Sequence, residues 1–396
     1  MIWPFSETNN NTHLGIDIGT TSIKIVEIEK LQGAARGRLV NYGALTSNNY
    51  IQRRGSNLAH IEGVAIFESE VMEMVKKLLS RFPNHSNEVI MSIPAFSSFV
   101  DEVVLPPMPP QEVASAIVFE ARSHVPVPIS EVELTWQIVR QDDKGVAATI
   151  IAVPKEILFR YRSICDQLGL TLKALELETF SIIRALNVYG QEPILTGEAR
   201  KVLTEDQVLT ANGGSRKVLI EDQVLTANGG SRKVLIEDQV LIVDVGARNT
   251  NLSVIAKGLL YASHNIETSG RDITTIIAQG LGITARRAEE LKQDQGLSLG
   301  VSNPGIADAL YGAVDTITEE ARRFIELKSM TGRLKRLLLT GGSAKMTGLP
   351  EYLQKKLGIS IDIAFPWSTI ECDPKLTAAL KANAPSFTVA VGLSLY

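Results

Sequence analysis

The sequence predicts an α/β protein of two lobes, with a small α/β unit inserted in the first. Three observations predict it. Residues 14–28, LGIDIGTTSIKIVEI, read as a strand, a tight turn and a returning strand. Residues 240–255, VLIVDVGARNTNLSVI, repeat that arrangement. Between them, residues 86–168 give their own succession of strand, strand, helix, strand, strand, helix.

The first hairpin organises the rest. Leu14, Ile16 and Ile18 alternate, and Ile23, Ile25 and Ile28 resume the apolar pattern after the turn. β-branched density on both sides argues for strands. The turn Gly19-Thr20-Thr21-Ser22 packs hydroxyls and main-chain amides into a concave row, which suits a phosphate chain. Asp17 can hold a water-coordinated Mg²⁺, and Lys24 returns a positive charge. A Walker A loop or a dinucleotide fingerprint would feed a helix, whereas this turn feeds a strand.

Composition sets the bounds. At 396 residues the chain can bury large cores and divide into two to four subdomains. A hydrophobic content of 44% with 21% charged residues is that of a globular protein. A net charge of −4 gives no global reason to expect nucleic acid. Cys165 and Cys372 form no metal-binding spacing. No apolar run reaches the roughly 18 residues of a membrane span, and the N-terminus lacks a basic region before an apolar core. The expected location is cytoplasmic.

Along the chain, Met1 to Phe5 is a short apolar start, expected to fray. Residues 64–82 read as an amphipathic helix with Val71, Met74, Val75, Leu78 and Leu79 on one stripe. Val89 to Ile93 and Phe99 to Leu105 read as strands, and prolines at 106, 107, 109 and 110 lead into a helix over 111–124. Val132 to Val139 and Ala147 to Val153 pair around an Asp142-Asp143-Lys144-Gly145 turn. A helix over 155–168 ends at Gly169, a C-cap. No catalytic constellation converges in 86–168, so it reads as an interaction module. Leu172 to Leu177 is a strand that turns into a helix at Thr179, with Glu178 at the junction.

A unit beginning Arg-Lys-Val-Leu starts at Arg200, Arg216 and Arg232, differing only at Thr204 against Ile220 and Ile236. Its Asn-Gly-Gly-Ser segments are hairpin signals, predicting inserted hairpins or a loop. The second Asp-x-Gly turn comes next, with Asp244, Gly246 and Thr250 mirroring the first. Facing each other, the two turns would clamp one triphosphate and its metal, with Asp17 and Asp244 on the metal. Helices are expected at 270–282, 283–293 and 306–330, and Glu289 and Lys292 share a helix face at i, i+3. Leu337 to Thr340 is a strand ending at Gly341-Gly342-Ser343, where tandem glycines allow close backbone approach to a flat ligand. Phe387 to Leu395 closes with Ala390 and Gly392, small enough for close helix crossing.

In this order the motifs resemble the actin-like ATPases. GIDIGTTSIKIVEIEK, LTGGSAKMTGLPEYL and the insert at 86–168 resemble the PilM family of type IV pilus assembly proteins. The resemblance implies an actin-like ATPase fold of two ribonuclease-H-like lobes. The first lobe core would span 1–85, completed by 169–190 and 376–396. The repeat would occupy 191–239, and the second lobe 240–375 with a helical subdomain at about 268–335. The resemblance further implies a cytoplasmic scaffold binding ATP and Mg²⁺, with weak ATPase activity at most. At the inner membrane it would take up the N-terminal tail of a PilN-like protein at 86–168, with self-association possible. Asp17, Gly19, Thr20, Thr21, Ser22 and Lys24 would hold phosphates and metal, and Asp244, Gly246 and Thr250 would close from the other side. Glu289 and Lys292 would meet the ribose or base, and Gly341, Gly342 and Ser343 the adenosine. Glu178 is the candidate for orienting water.

Two alternatives share the superfamily. An FtsA-like cell-division protein would end in a linker and a basic amphipathic helix, whereas this sequence stops at Leu395-Tyr396. A small-molecule kinase would need a catalytic carboxylate, for which Asp101, Glu102, Asp142 and Asp143 stand only at strand-edge or turn positions.

Overall fold

A computed structural model describes residues 12–31, 36–46, 68–82, 84–187, 239–256, 258–328 and 334–396. The apolar start, residues 64–67 of the expected first helix and the repeat at 200–235 lie outside these.

The first lobe begins with β1 (Thr12–Ile18), β2 (Ser22–Lys30) and β3 (Gly37–Thr46), an antiparallel meander. α1 (Glu68–Leu79) crosses to β4 (Glu88–Ile93), which runs parallel to β1. Leu14 to Ile18 are all buried, as a central strand covered on both faces requires.

The insert comprises β5 (Phe99–Leu105), α2 (Pro110–His124), β6 (Val132–Asp142) and β7 (Gly145–Pro154). Its strands form an antiparallel sheet ordered β5-β7-β6. Pro109 is the N-cap and Pro110 the first residue of α2, so the prolines fix where the helix starts. Val113, Ile117 and Ala121 pack on Val103, Ala148 and Ile150. The predicted turn closes with Asp142 opposite Gly145.

α3 (Lys155–Leu168) ends at Gly169 in the left-handed conformation, and Leu170 N–H bonds back to the Cys165 carbonyl. β8 (Thr171–Leu177) then pairs parallel with β4, and α4 (Glu178–Leu186) continues without a break. The edges of the insert therefore differ from the expected 86–168. β4 lies within the large sheet, and Tyr161, Ile164 and Cys165 of α3 are buried in the first lobe's core.

The second lobe repeats the plan with β9 (Gln239–Val245), β10 (Thr250–Ala256) and β11 (Leu259–Ile266). A helical unit comes after them: α5 (Gly270–Leu281), α6 (Ala285–Asp294), α7 (Ser298–Ser302) and α8 (Pro304–Leu327). Ser269 and Asp272 form a capping box at the start of α5, and Gly282 ends it. β12 (Leu334–Thr340), α9 (Leu349–Leu357) and β13 (Ser360–Ile363) complete the sheet. Finally β14 (Ile370–Glu371), α10 (Thr377–Asn383) and α11 (Thr388–Ser394) return to the first lobe.

The sheets are ordered β14-β3-β2-β1-β4-β8 and β11-β10-β9-β12-β13. Without β14 the two orders match: a meander, then two parallel strands beyond its first strand. α4 and α11 cross between the lobes at close range. A Cβ on Gly392 would overlap the Ser181 carbonyl oxygen, and one on Gly15 would overlap that of Ala390. Beneath the crossing lies a buried ion pair, Glu176 with Arg184, whose guanidinium also donates 2.9 Å to the Gly392 carbonyl.

Candidate functional site

Equivalent strand positions place an aspartate at the mouth of each lobe. In the first hairpin Asp17 sits opposite Lys24, and in the second Asp244 sits opposite Asn251. The turns close alike, with Gly19 N–H on the Ser22 carbonyl at 3.0 Å and Gly246 N–H on the Asn249 carbonyl at 3.0 Å. Thr20, Thr21 and Ser22, within and beside the first turn, stay half-buried.

Asp17 is locked from two sides. Lys24 Nζ is 3.2 Å from one carboxylate oxygen, and Ser92 Oγ donates 3.0 Å to the other. Glu178 opens α4 and accepts the Ala95 N–H at 3.1 Å. Burial, reinforced by Asp17 and Asp244, raises the Glu178 pKa well above the carboxylate range. Burial first, then Asp17, pushes Asp244 up to about 6, against the pull of Lys24. Three carboxylates from both lobes thus crowd one cleft with one lysine among them.

Among the described residues no three His, Cys, Asp or Glu side chains are close enough to hold a metal directly. The oxygen-only donor set suits a hard cation that keeps its water shell, as Mg²⁺ does. Asp17 and Asp244 would hold it through water.

The glycine turn predicted to meet the adenosine packs against Asp244 and Val245. Gly341 takes φ +92°, and a Cβ there would overlap Asp244 Oδ1 and the Val245 backbone. Gly342 has open space around its Cβ position. Ser343 is buried and donates its N–H to the Val245 carbonyl at 3.2 Å.

Two of the predicted site residues have buried side chains. The Thr250 side chain is fully buried, and its hydroxyl donates 2.8 Å to the Thr268 carbonyl. Lys292 is buried as well. Its ammonium donates to the Gly270 carbonyl at 3.0 Å, Thr274 Oγ1 at 3.0 Å, Glu289 at 2.7 Å and Ser343 Oγ at 3.3 Å. With its three protons shared among these four acceptors, Lys292 braces α5 and α6 against the glycine turn. Glu289 keeps a half-exposed side chain, and Lys292 with Thr274 and Gln293 outweighs its burial to hold its pKa low.

Sequence reasoning missed Ser92 and Asn251. Ser92 is the lone hydroxyl in the otherwise apolar end of β4, which was a usable signal. Asn251 is the register counterpart of Lys24 and hydrogen-bonds Ser263, Ser253 and Asn265. Three of the four kinase candidates have partners elsewhere: Asp101 pairs with His124, Glu102 with Lys328 and Asp142 with Arg140.

A family model for the type IV pilus assembly protein PilM matches residues 15–206 and 226–396. The chain belongs to the PilM family. The match is interrupted at 207–225, inside the repeated segment, so the PilM pattern lacks a counterpart for part of it. A chain of a PilM–PilN type IV pilus biogenesis complex superposes with a TM-score of 0.71 at 21% identity, covering 97% of each chain. The ethanolamine utilization protein EutJ from Carboxydothermus hydrogenoformans gives 0.51 at 14% identity, over 100% of this chain and 92% of that one. MreB5 of Spiroplasma citri, solved with ADP, gives 0.50 at 13% identity, over 96% and 94%. The fold of this PilM-family chain is that of the actin-like ATPases. The cell division protein FtsA of Rhizobium meliloti is 28% identical over 172 residues, 37% of this chain. The match spans only 38% of the length of that relative. No described helix is long and apolar enough to cross a membrane.

Proposed function

We propose that this PilM-family chain is a cytoplasmic ATP-binding scaffold of type IV pilus assembly, peripheral to the inner membrane through a PilN-like partner. The observation that carries the nucleotide reading is the convergence of Asp17, Asp244 and Glu178 from both lobes, near enough to raise the proton affinity of two of them. Such a cleft gains from a polyanion that brings its own Mg²⁺. The turns at Gly19 and Gly246 would cradle the phosphates, with Lys24 as the charge partner. Gly341 and Gly342 would admit the adenosine. Solved relatives of the fold include one carrying ADP, which supports the reading.

Glu178 would orient a water, but it holds its proton tightly. It is a poor base until a cation neutralises its neighbours, so slow turnover is expected. Bound Mg²⁺ would supply that positive charge and polarise the phosphates.

For the partner, a groove of about 660 Å³ runs between the insert and α3. Phe99, Val127, Pro154 and Phe159 make it apolar, and its charged rim is balanced, with Lys155 and Arg160 against Glu131 and Glu156, the last paired with Arg160. Phe159 is 65% exposed. An extended apolar segment fits such a trough, and the likeness to a chain of a PilM–PilN complex supports a PilN-like protein as the partner, whose N-terminal tail would supply that segment.

Thermal unfolding with and without Mg-ATP tests the first part. Ligand at about 100 times Kd should add roughly 2.7 kcal/mol of stability. No shift at millimolar nucleotide, or an undiminished shift in Asp17→Ala and Lys24→Ala, overturns it. Titrating a synthetic tail of the PilN-like partner onto the full chain tests the second. Absence of saturation, or equal binding by Phe159→Glu, overturns it.

A further inference from the structure

The groove and the phosphate cleft share one short piece of chain. Pro94 to Phe99 leaves the end of β4 as a tight turn, with Ser97 N–H on the Pro94 carbonyl at 3.0 Å and Ser98 Oγ on the Ala95 carbonyl at 2.9 Å. Each part of this turn grips a different element. Ala95 N–H donates to Glu178, in the cleft on the first lobe. The Ala95 carbonyl accepts Asn265 Nδ2 at 3.4 Å, from β11 of the second lobe. The Phe96 ring lies under the Arg248 guanidinium at 4.8 Å, and Arg248 belongs to the second phosphate turn. The next strand starts at Phe99, which lines the groove.

The two walls of the groove are anchored differently. Phe159 and Arg160 stand on α3, whose Tyr161, Ile164 and Cys165 are buried in the first lobe's core. Phe99 and Val127 stand on the insert, which is hydrogen-bonded to the second lobe. Thr149 Oγ1 donates 2.8 Å to the Leu260 carbonyl, and Leu260 N–H donates 3.2 Å to Gln137 Oε1. Thr149 and Gln137 are both buried. A change of angle between the lobes therefore cannot leave both walls in place.

We infer that the Pro94–Phe99 turn couples the phosphate cleft to the groove, so that nucleotide occupancy sets the groove's affinity for its peptide. This rests on the nucleotide and peptide readings above. Phosphates drawn between the two turns act on Arg248 and Glu178 at once, and both hold this turn. The packed turn has little freedom to yield, so the displacement passes to Phe99. Linkage makes the effect mutual: a peptide in the groove changes nucleotide affinity by the same factor.

Hydrogen exchange on the full chain, with and without Mg-AMPPNP, tests it, with thermal unfolding run alongside to register binding. The expected result is a change of at least about fivefold in exchange rates at both 95–105 and 155–163 on nucleotide binding. Phe96→Ala and Phe96→Leu should still show the thermal shift but lose the response at 155–163. Phe96→Leu keeps apolar bulk and removes only the ring over which Arg248 sits, guarding against a folding defect in the alanine variant. A thermal shift without any response at 155–163 overturns the coupling and leaves the nucleotide reading standing. A response that persists in both Phe96 variants shows that the turn is not the coupler. No thermal shift in the parent chain overturns the nucleotide reading itself, and the coupling with it.

Discussion

The hydroxyl of Thr149 donates a 2.8 Å hydrogen bond to the main-chain oxygen of Leu260, joining the insert to the second lobe at a buried point. Thr149→Val keeps the shape and removes the donor. The expected loss is about 1–3 kcal/mol, because an acceptor stays buried without that partner. Thr149→Ser should lose less. Urea unfolding of the three proteins checks the order.

The pair beneath the helix crossing gives a sharper case. Glu176 is fully buried, yet its pKa is lowered, because Arg184 and the Ser181 hydroxyl outweigh the push of burial. Arg184→Met leaves that carboxylate uncompensated and should cost about 3–5 kcal/mol. The double change Glu176→Gln with Arg184→Met should cost less than the single one. Chemical denaturation of all three measures the difference.

Asp244 predicts an unusual pH dependence for the nucleotide-free protein. Its folded pKa, about 6, lies above its ordinary 3.8. The folded state therefore holds the proton more tightly than the unfolded chain. The resulting stability is fully present below about pH 3.8 and is lost as pH rises through about 6. Glu178 acts in the same direction. Asp244→Asn should thus raise the melting temperature at pH 8 and lose that advantage towards pH 4. An unchanged gap across this range would count against the carboxylate cluster.

Much of this was legible beforehand, and the misses share a cause. Both hairpins, the Gly169 cap, the Asp142–Gly145 turn and the proline start of α2 are local signals, and the structure keeps them. β3, β11, β13 and β14 escaped notice, since strands at or near sheet edges carry mixed polarity and little periodicity. In the site, Asp17, Lys24 and Asp244 could be placed from their position beside the turns. The burial of Thr250 and Lys292 was not legible, because the sequence gives identity without direction. β4 and α3 looked like parts of the insert because adjacency along the chain conceals which sheet a strand joins.

The two glycines of the turn proposed to admit adenosine should behave oppositely. Gly341→Ala forces a Cβ into Asp244 and the Val245 backbone at a positive φ, so it should abolish the Mg-ATP thermal shift and lower basal stability. Gly342→Ala meets nothing within 4 Å and should leave basal stability nearly unchanged. Melting curves with and without nucleotide compare them.

The repeat offers a deletion test. The PilM-family match skips 207–225, and the copies starting at Arg200 and Arg216 are nearly identical to the copy starting at Arg232. Removing residues 200–231 leaves one copy to lead into β9. Nucleotide affinity should stay within a few-fold. An insoluble or nucleotide-blind product would show that the repeat is built into the core.

The close fit of Gly15 against Ala390 has a consequence for synthesis. β1 is finished by residue 18, but the helix that covers it starts at Thr388. At bacterial elongation rates of about 5–20 residues per second, that interval lasts roughly 20–75 s. Throughout it, the strand holding Leu14, Ile16 and Ile18 waits without its lid while the second lobe emerges from the ribosome. Nascent chains halted before residue 388 should therefore be trapped by holdase chaperones, and the first lobe becomes native only after the second has been made.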